Sequence, residues 1–178
     1  MFIIPERIMN RKLNWVKEAF SLDVHIMQDG QLIGDMRRNL FSHDVEASLN
    51  GVHLRFDVEG FLNHSVTVYD SKVNDTPIGH IELRFGKQAE LKLSSGQTYL
   101  WKRHNMLMRE WDMIRESPNG LPEKEIVNYD ITRKFFEDAG DIVVDKEEKS
   151  PIIEVVILTG LFIRNYFQRR RRLVAIAS

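Results

Sequence analysis

Residues 151–168 constrain this chain more than any other stretch. Pro151 to Gln168 reads as one helix, apolar on nearly every face, that runs into four consecutive arginines, Arg169 to Arg172. Ile152, Ile153, Val155, Val156, Ile157, Leu158, Leu161, Phe162, Ile163, Tyr166 and Phe167 cover the full circle at about 100° per residue. A surface helix keeps a polar stripe, whereas one that is apolar all round is enclosed on every side. Either a membrane or a closed sheet would enclose it. The unbroken apolar run, Val155 to Ile163, is about half of the roughly 20 residues that a span needs. Glu154 inside a span would cost about 2.5–3.5 kcal/mol. Both facts favour enclosure by protein. Gly160 weakens the helix by about 1 kcal/mol relative to Ala and marks a point where a neighbouring wall comes close.

Almost everything before this helix reads as short strands. The clearest signal is Asn50-Gly51, a pair suited to a two-residue type I′ hairpin turn. Pairing outward from it sets Leu49 against Val52, Ala47 against Leu54 and Val45 against Phe56, all apolar and on one face. The other face sets Ser48 against His53 and Glu46 against Arg55. A slip of one residue would destroy this alternation. Asp29-Gly30 marks a second turn, between Leu22–Gln28 and Gln31–Arg37. Further strands are expected at Lys12–Phe20, Phe61–Asp70, Pro77–Phe85, Gln88–Leu93, Thr98–Arg103, Met106–Arg115, Ile126–Ile131 and Asp141–Asp145. Ser117 to Pro122 reads as a loop. Val24 with Ile33-Gly34-Asp35-Met36 is echoed by Val66 with Ile78-Gly79-His80-Ile81, a likeness that shared hairpin chemistry also produces.

About a dozen strands closed into a barrel leave a wider lumen than eight, and a helix with its side chains is about 10–12 Å across. The expected fold is therefore mainly β. It is an antiparallel closed barrel of about twelve strands around a central hydrophobic C-terminal helix. At 178 residues the chain reads as a single domain over 1–178. Barrel strands occupy 1–145 and a charged linker 146–150. The helix and its basic exit take 151–172, and an apolar tail takes 173–178.

The order of these segments resembles the superfamily of tubby C-terminal domains, LURP-one-related proteins and phospholipid scramblases. The resemblance rests on Asp29-Gly30-Gln31-Leu32, on Leu49-Asn50-Gly51-Val52-His53-Leu54, and on Val66-Thr67-Val68-Tyr69-Asp70 leading to Ile78-Gly79-His80-Ile81. Gly96 to Lys102 and Ile157 to Ile163 extend it over most of the chain. It implies a twelve-stranded barrel around a central helix. It also implies, by way of tubby domains, phosphoinositide binding through clustered Lys and Arg. Scramblases carry palmitoylated cysteines, and this chain has no cysteine.

Charge and motifs narrow the function classes. Lys and Arg total 25 against 26 Asp and Glu, so no bulk field points to nucleic acid. Without cysteine there are no disulfides or thiolate metal sites. Met1 to Ile4 is too short an apolar run for a signal peptide, so a cytoplasmic location is expected, with membrane contact at the periphery. No G-x-S-x-G elbow, P-loop or dinucleotide fingerprint occurs, and His25, His43, His53, His64, His80 and His104 lack metal-site spacing. No enzyme activity, cofactor or metal is expected. Asp70, Asn74 and Asp75 read as a polar turn, Glu110 and Asp112 as neighbours on one strand face, and Tyr99, Trp101 and Trp111 as packing residues. The emphatic chemical feature is Arg164 with Arg169, Arg170, Arg171 and Arg172. These cations suit phosphates, with anionic phospholipid headgroups at a membrane surface as the leading ligand. The competing reading is a solvated helix exit. Leu173, Val174 and Ile176 then offer an apolar tip that could pack on the barrel rim or on a second copy. A tail-anchored membrane protein and a hydrolase with its site at a barrel mouth are the alternatives.

Overall fold

In the computed structural model, the described residues are 10–18, 21–59, 65–84, 88–117, 122–134, 137–145, 148–149 and 151–177. The expected strand ends at Phe20 and Phe85, the strand start at Phe61 to His64, the loop centre at Asn119-Gly120 and the linker residue Lys146 lie outside them.

Alternating apolar residues build the strands, and hairpin turns order them. They are β1 (Arg11–Glu18), β2 (Val24–Gln28), β3 (Gln31–Arg38), β4 (Val45–Leu49), β5 (Val52–Glu59), β6 (Ser65–Asp70) and β7 (Thr76–Arg84). There follow β8 (Gln88–Leu93), β9 (Thr98–Arg103), β10 (Glu110–Arg115), β11 (Lys124–Asp130), β12 (Arg133–Lys134) and β13 (Glu137–Val144). Each strand up to β11 pairs antiparallel with the next, β11 pairs with β13, and β13 returns to β1 over eight residue pairs, from Arg11↔Val144 to Glu18↔Glu137. The result is a closed twelve-stranded ring. The two-residue β12 prolongs the β11 side along β13.

The Asn50-Gly51 hairpin has the register its alternation requires, Leu49↔Val52, Ala47↔Leu54, Val45↔Phe56, Ser48↔His53 and Glu46↔Arg55. Both turn residues have positive φ, 46° and 83°, which is the I′ geometry. Arg55 makes its ion pairs with Asp44, Asp57 and Asp75. The internal echo is structural. In the β2–β3 hairpin Ile26 pairs with Gly34 and Met27 with Leu32, so Ile33 is the extra residue of a bulge. In the β6–β7 hairpin Val68 pairs with Gly79 and Tyr69 with Pro77, so Ile78 plays the same part. Each extra residue accepts a backbone hydrogen bond just past the next strand, from Asn50 to Ile33 and from Ser94 to Ile78.

The helix α1 (Ile152–Ala177) runs through the ring. Every residue from Ile153 to Arg164 is buried. Phe56 stacks on Phe162 at 4.4 Å, and Trp101 lies against Phe167 at 5.3 Å while its indole N–H donates to the Gly160 carbonyl. The Tyr129 hydroxyl donates to the Ile157 carbonyl at 2.9 Å and lies 3.2 Å from that of Val156. Gly160 faces that tyrosine, and a Cβ placed there would overlap its ring and hydroxyl. This is the close wall that the glycine signals. At the helix start Arg11 pairs with buried Glu154 at 3.4 Å. A carboxylate in the first turn also suits the positive end of the helix dipole. Glu148 closes that end by bonding Arg115 and Tyr99.

Candidate functional site: the helix-exit mouth

The odd-numbered strands β1, β3, β5, β7 and β9 all run toward the mouth where α1 leaves the barrel. Their inward positions are apolar until the rim. In β1 they read Leu13, Trp15, Lys17, in β3 Gly34, Met36, Arg38, and in β9 Tyr99, Trp101, Arg103. The register supports this, because Lys17 pairs with Asp138 of β13 and Arg103 with inward-facing Trp111. Three strands therefore end their inward series in a cation.

The helix adds to this rim in two different ways. Arg169, Arg170, Arg171 and Arg172 are exposed. Successive residues on a helix are about 100° apart, so the four encircle it as a collar. Arg164 does not belong to that collar. It is fully buried and its guanidinium sits over the faces of Trp15 and Trp111, 5.0 and 5.3 Å from the ring centres. It donates to Asp138 at 3.1 Å and to the Asn165 side-chain oxygen at 3.3 Å. Of the five arginines expected to act together, Arg164 lies about one and a half turns below the other four, inside the wall. The helix also continues through the expected tail to Ala177, with Leu173, Val174 and Ile176 exposed on it.

Sequence reasoning missed Lys17 and Arg38. Lys17 is only 7% exposed. Burial pushes its ammonium below the usual lysine range, Arg172 and Arg164 push the same way, and Asp138 opposes them. Burial lowers Arg38 as well, and it lowers Arg169, with Arg38 adding to the effect. The Arg38 guanidinium meets His43 Nδ1 at 3.2 Å. The signal that would have found these residues is the break from apolar to basic at the last inward position of a strand.

Other candidates fall elsewhere. Asn74 and Asp75 have positive φ in the β6–β7 turn, where Asp70 caps the Lys72 N–H and Asp75 approaches Arg55 at 3.7 Å. Tyr99, Trp101 and Trp111 are core residues. Asp112, buried on the outer face of β10, bonds His104 and accepts from Asn128, which also reaches Glu110. Burial, then Asp112, raises the neighbouring Glu125. His64 lies outside the described residues, and among the described residues no three His, Cys, Asp or Glu side chains form a metal-binding group. At the opposite mouth a cleft of about 550 Å³ lies between α1 and the β4–β5, β6–β7 and β8–β9 turns, lined by Val52, Leu54, Ile78, Leu93, Ile152 and Val155 with Asp70 and Lys72 at its edge.

The fold and site define a closed antiparallel barrel with a threaded helix, with Lys17, Arg38 and Arg103 at three strand ends of its exit mouth and four exposed arginines on the helix beyond. No family model, curated protein or solved structure matches this chain. No helix among the described residues is long and apolar enough to cross a membrane.

Proposed function

We propose that this chain is a non-enzymatic binding protein that docks its helix-exit mouth on anionic phospholipid headgroups. The observation that carries the reading is the end of α1, where four exposed arginines are followed by exposed Leu173, Val174 and Ile176. An apolar tip beyond a cationic collar suits a bilayer surface, with the tip at the acyl boundary and the collar among the headgroups. Each Lys or Arg close to an anionic leaflet contributes about 1 kcal/mol, so the collar alone is worth about 4 kcal/mol. Loops at the same mouth support the reading. Phe41 is 100% and Leu40 86% exposed between β3 and β4, and Met106 and Leu107 are exposed between β9 and β10. The phosphoinositide binding implied by the resemblance to tubby domains points the same way.

Co-sedimentation with phosphatidylcholine vesicles containing phosphatidylserine tests the proposal. Binding should weaken as salt rises, and the double variant Arg169→Glu/Arg170→Glu should reduce it by about a thousandfold, taking about 1 kcal/mol lost per charge removed and as much again for each reversal. Unchanged co-sedimentation of that variant removes the proposal.

A further inference from the structure

The mouth opposite the arginine collar holds a cleft whose walls are fixed by the barrel itself. The helix packs chiefly against β4, β5, β9 and β10, and the cleft lies between its first turn and the turns at this end. Backbone hydrogen bonds tie neighbouring turns together, from Ser71 to the His53 carbonyl at 3.0 Å and from Ser94 to the Ile78 carbonyl at 2.8 Å. His53, Ile78 and Ser94 themselves line the cleft. A site held in this way loses little freedom when it is filled. Its volume of about 550 Å³ falls within the roughly 300–1,000 Å³ of small-molecule sites.

The lining selects for one kind of occupant. Val52, Leu54, Ile78, Leu93, Ile152 and Val155 are all aliphatic, and none of the described Phe, Tyr or Trp rings lines the cleft. A flat aromatic ligand would find no ring to stack on, whereas a hydrocarbon chain gains from every methylene it buries. Two charges stand at the edge. The Asp70 carboxylate accepts the Lys72 backbone N–H at 3.0 Å. The Lys72 ammonium, by contrast, has no ion-pair partner among the described residues. Arg55 on the neighbouring strand differs, since it meets Asp44, Asp57 and Asp75. The group left to meet a ligand is therefore the ammonium. We propose that this cleft binds an aliphatic carboxylate, a fatty acid of medium chain length, with its chain against the start of α1 and its carboxylate at Lys72. Hydrogen bonds between ammonium and carboxylate are of the strong, charge-assisted kind. The site lies at the other end of the barrel from the collar and does not depend on the surface reading above.

The test is calorimetric titration of the full chain with decanoate, decanol and decylamine, each kept monomeric. Decanoate should bind one to one and more tightly than the other two. Lys72→Met should weaken decanoate by about fivefold, the upper range for a solvent-exposed ion pair, and leave decanol unchanged. Lys72 is exposed, so this variant should keep the fold. In a parallel nuclear magnetic resonance titration, the methyl signals of Val52, Ile78, Leu93 and Ile152 should shift, and those of Leu173, Val174 and Ile176 should not. Arg169→Glu/Arg170→Glu should bind decanoate as the unaltered chain does. Absence of decanoate binding, shifts confined to the helix tip, or loss of binding in Arg169→Glu/Arg170→Glu each overturns the cleft as the site. Decylamine or decanol binding as tightly as decanoate, or Lys72→Met without effect, overturns the carboxylate as its ligand.

Discussion

The hydroxyl of Tyr129 occupies the space that a side chain on Gly160 would need, and from there it donates to the Ile157 carbonyl at 2.9 Å. One strand residue thereby holds the helix at a fixed depth. Gly160→Ala would gain about 1 kcal/mol of helix propensity but must displace the aromatic ring, an overpacking cost of about 1–3 kcal/mol. The second effect should win, since Tyr129 is fully enclosed. Tyr129→Phe should cost about 1 kcal/mol through the lost hydrogen bond. The double variant should cost less than the sum of the two, because removing the hydroxyl relieves part of the overlap. Urea unfolding of the four proteins measures this, and strict additivity would show that the two residues do not share the space.

Arg164 and Asp138 should respond unequally to substitution. Asp138→Ala leaves the Arg164 cation enclosed beside Lys17 and should destabilise by about 3–5 kcal/mol. Arg164→Met keeps an apolar stem against Trp15 and Trp111 and leaves Asp138 partly hydrated, so it should cost less. Equal midpoints in urea would refute this ordering.

Alkaline stability should be governed by two enclosed tyrosines. Burial first, and Glu148 second, pushes the Tyr99 hydroxyl up to about 12, and burial with Asp112 raises Tyr129 well above the usual tyrosine range. In the unfolded chain both ionise near about pH 10. A raised folded value means that the contribution is intact below about pH 10 and is lost as pH rises through about 12. Ultraviolet titration should therefore show Tyr99 and Tyr129 ionising only together with loss of near-ultraviolet circular dichroism. Ionisation of all four tyrosines near pH 10 in the folded protein would contradict it.

Removing α1 by ending the chain at Lys149 should abolish folding, because the helix supplies the centre of the core. Side chains from β4, β5, β9 and β10 all lose their partner. Loss of near-ultraviolet circular dichroism and of a cooperative thermal transition is expected. A cooperative transition in the truncated chain would show that the barrel closes without it.

Local patterns made much of the fold legible. Asn50-Gly51 and Asp29-Gly30 signalled turns whose φ values are as expected, and the alternation around Asn50-Gly51 specified its register pair by pair. Gln88–Leu93 and Thr98–Arg103 have the limits the sequence suggests. The misjudged boundaries have local causes. The strand expected from Met106 begins at Glu110, because Asn105 to Met108 forms a turn in which Met108 takes positive φ. The strand expected over Asp141–Asp145 starts earlier, at Glu137, because its acidic first residues are set by pairing with Lys17 and Glu18 of β1, distant in sequence.

The candidate site was legible only in part. The arginine run is visible in any reading of the chain, whereas the burial of Arg164 and the inward setting of Lys17 and Arg38 are not. Charge composition treats these residues alike. Whether a cation faces water, a tryptophan face or another cation depends on strand register and on the depth of the helix in the barrel.

The amino-acid order alone determined that the helix needs enclosure and that the strands alternate, because periodicity and turn chemistry act over a few residues. Ring closure between β1 and β13, the depth at which Tyr129 holds Gly160, and the division of the arginines into one buried and four exposed were decided only by tertiary structure. These depend on contacts between residues from 26 to more than a hundred positions apart in the chain, where no local preference acts.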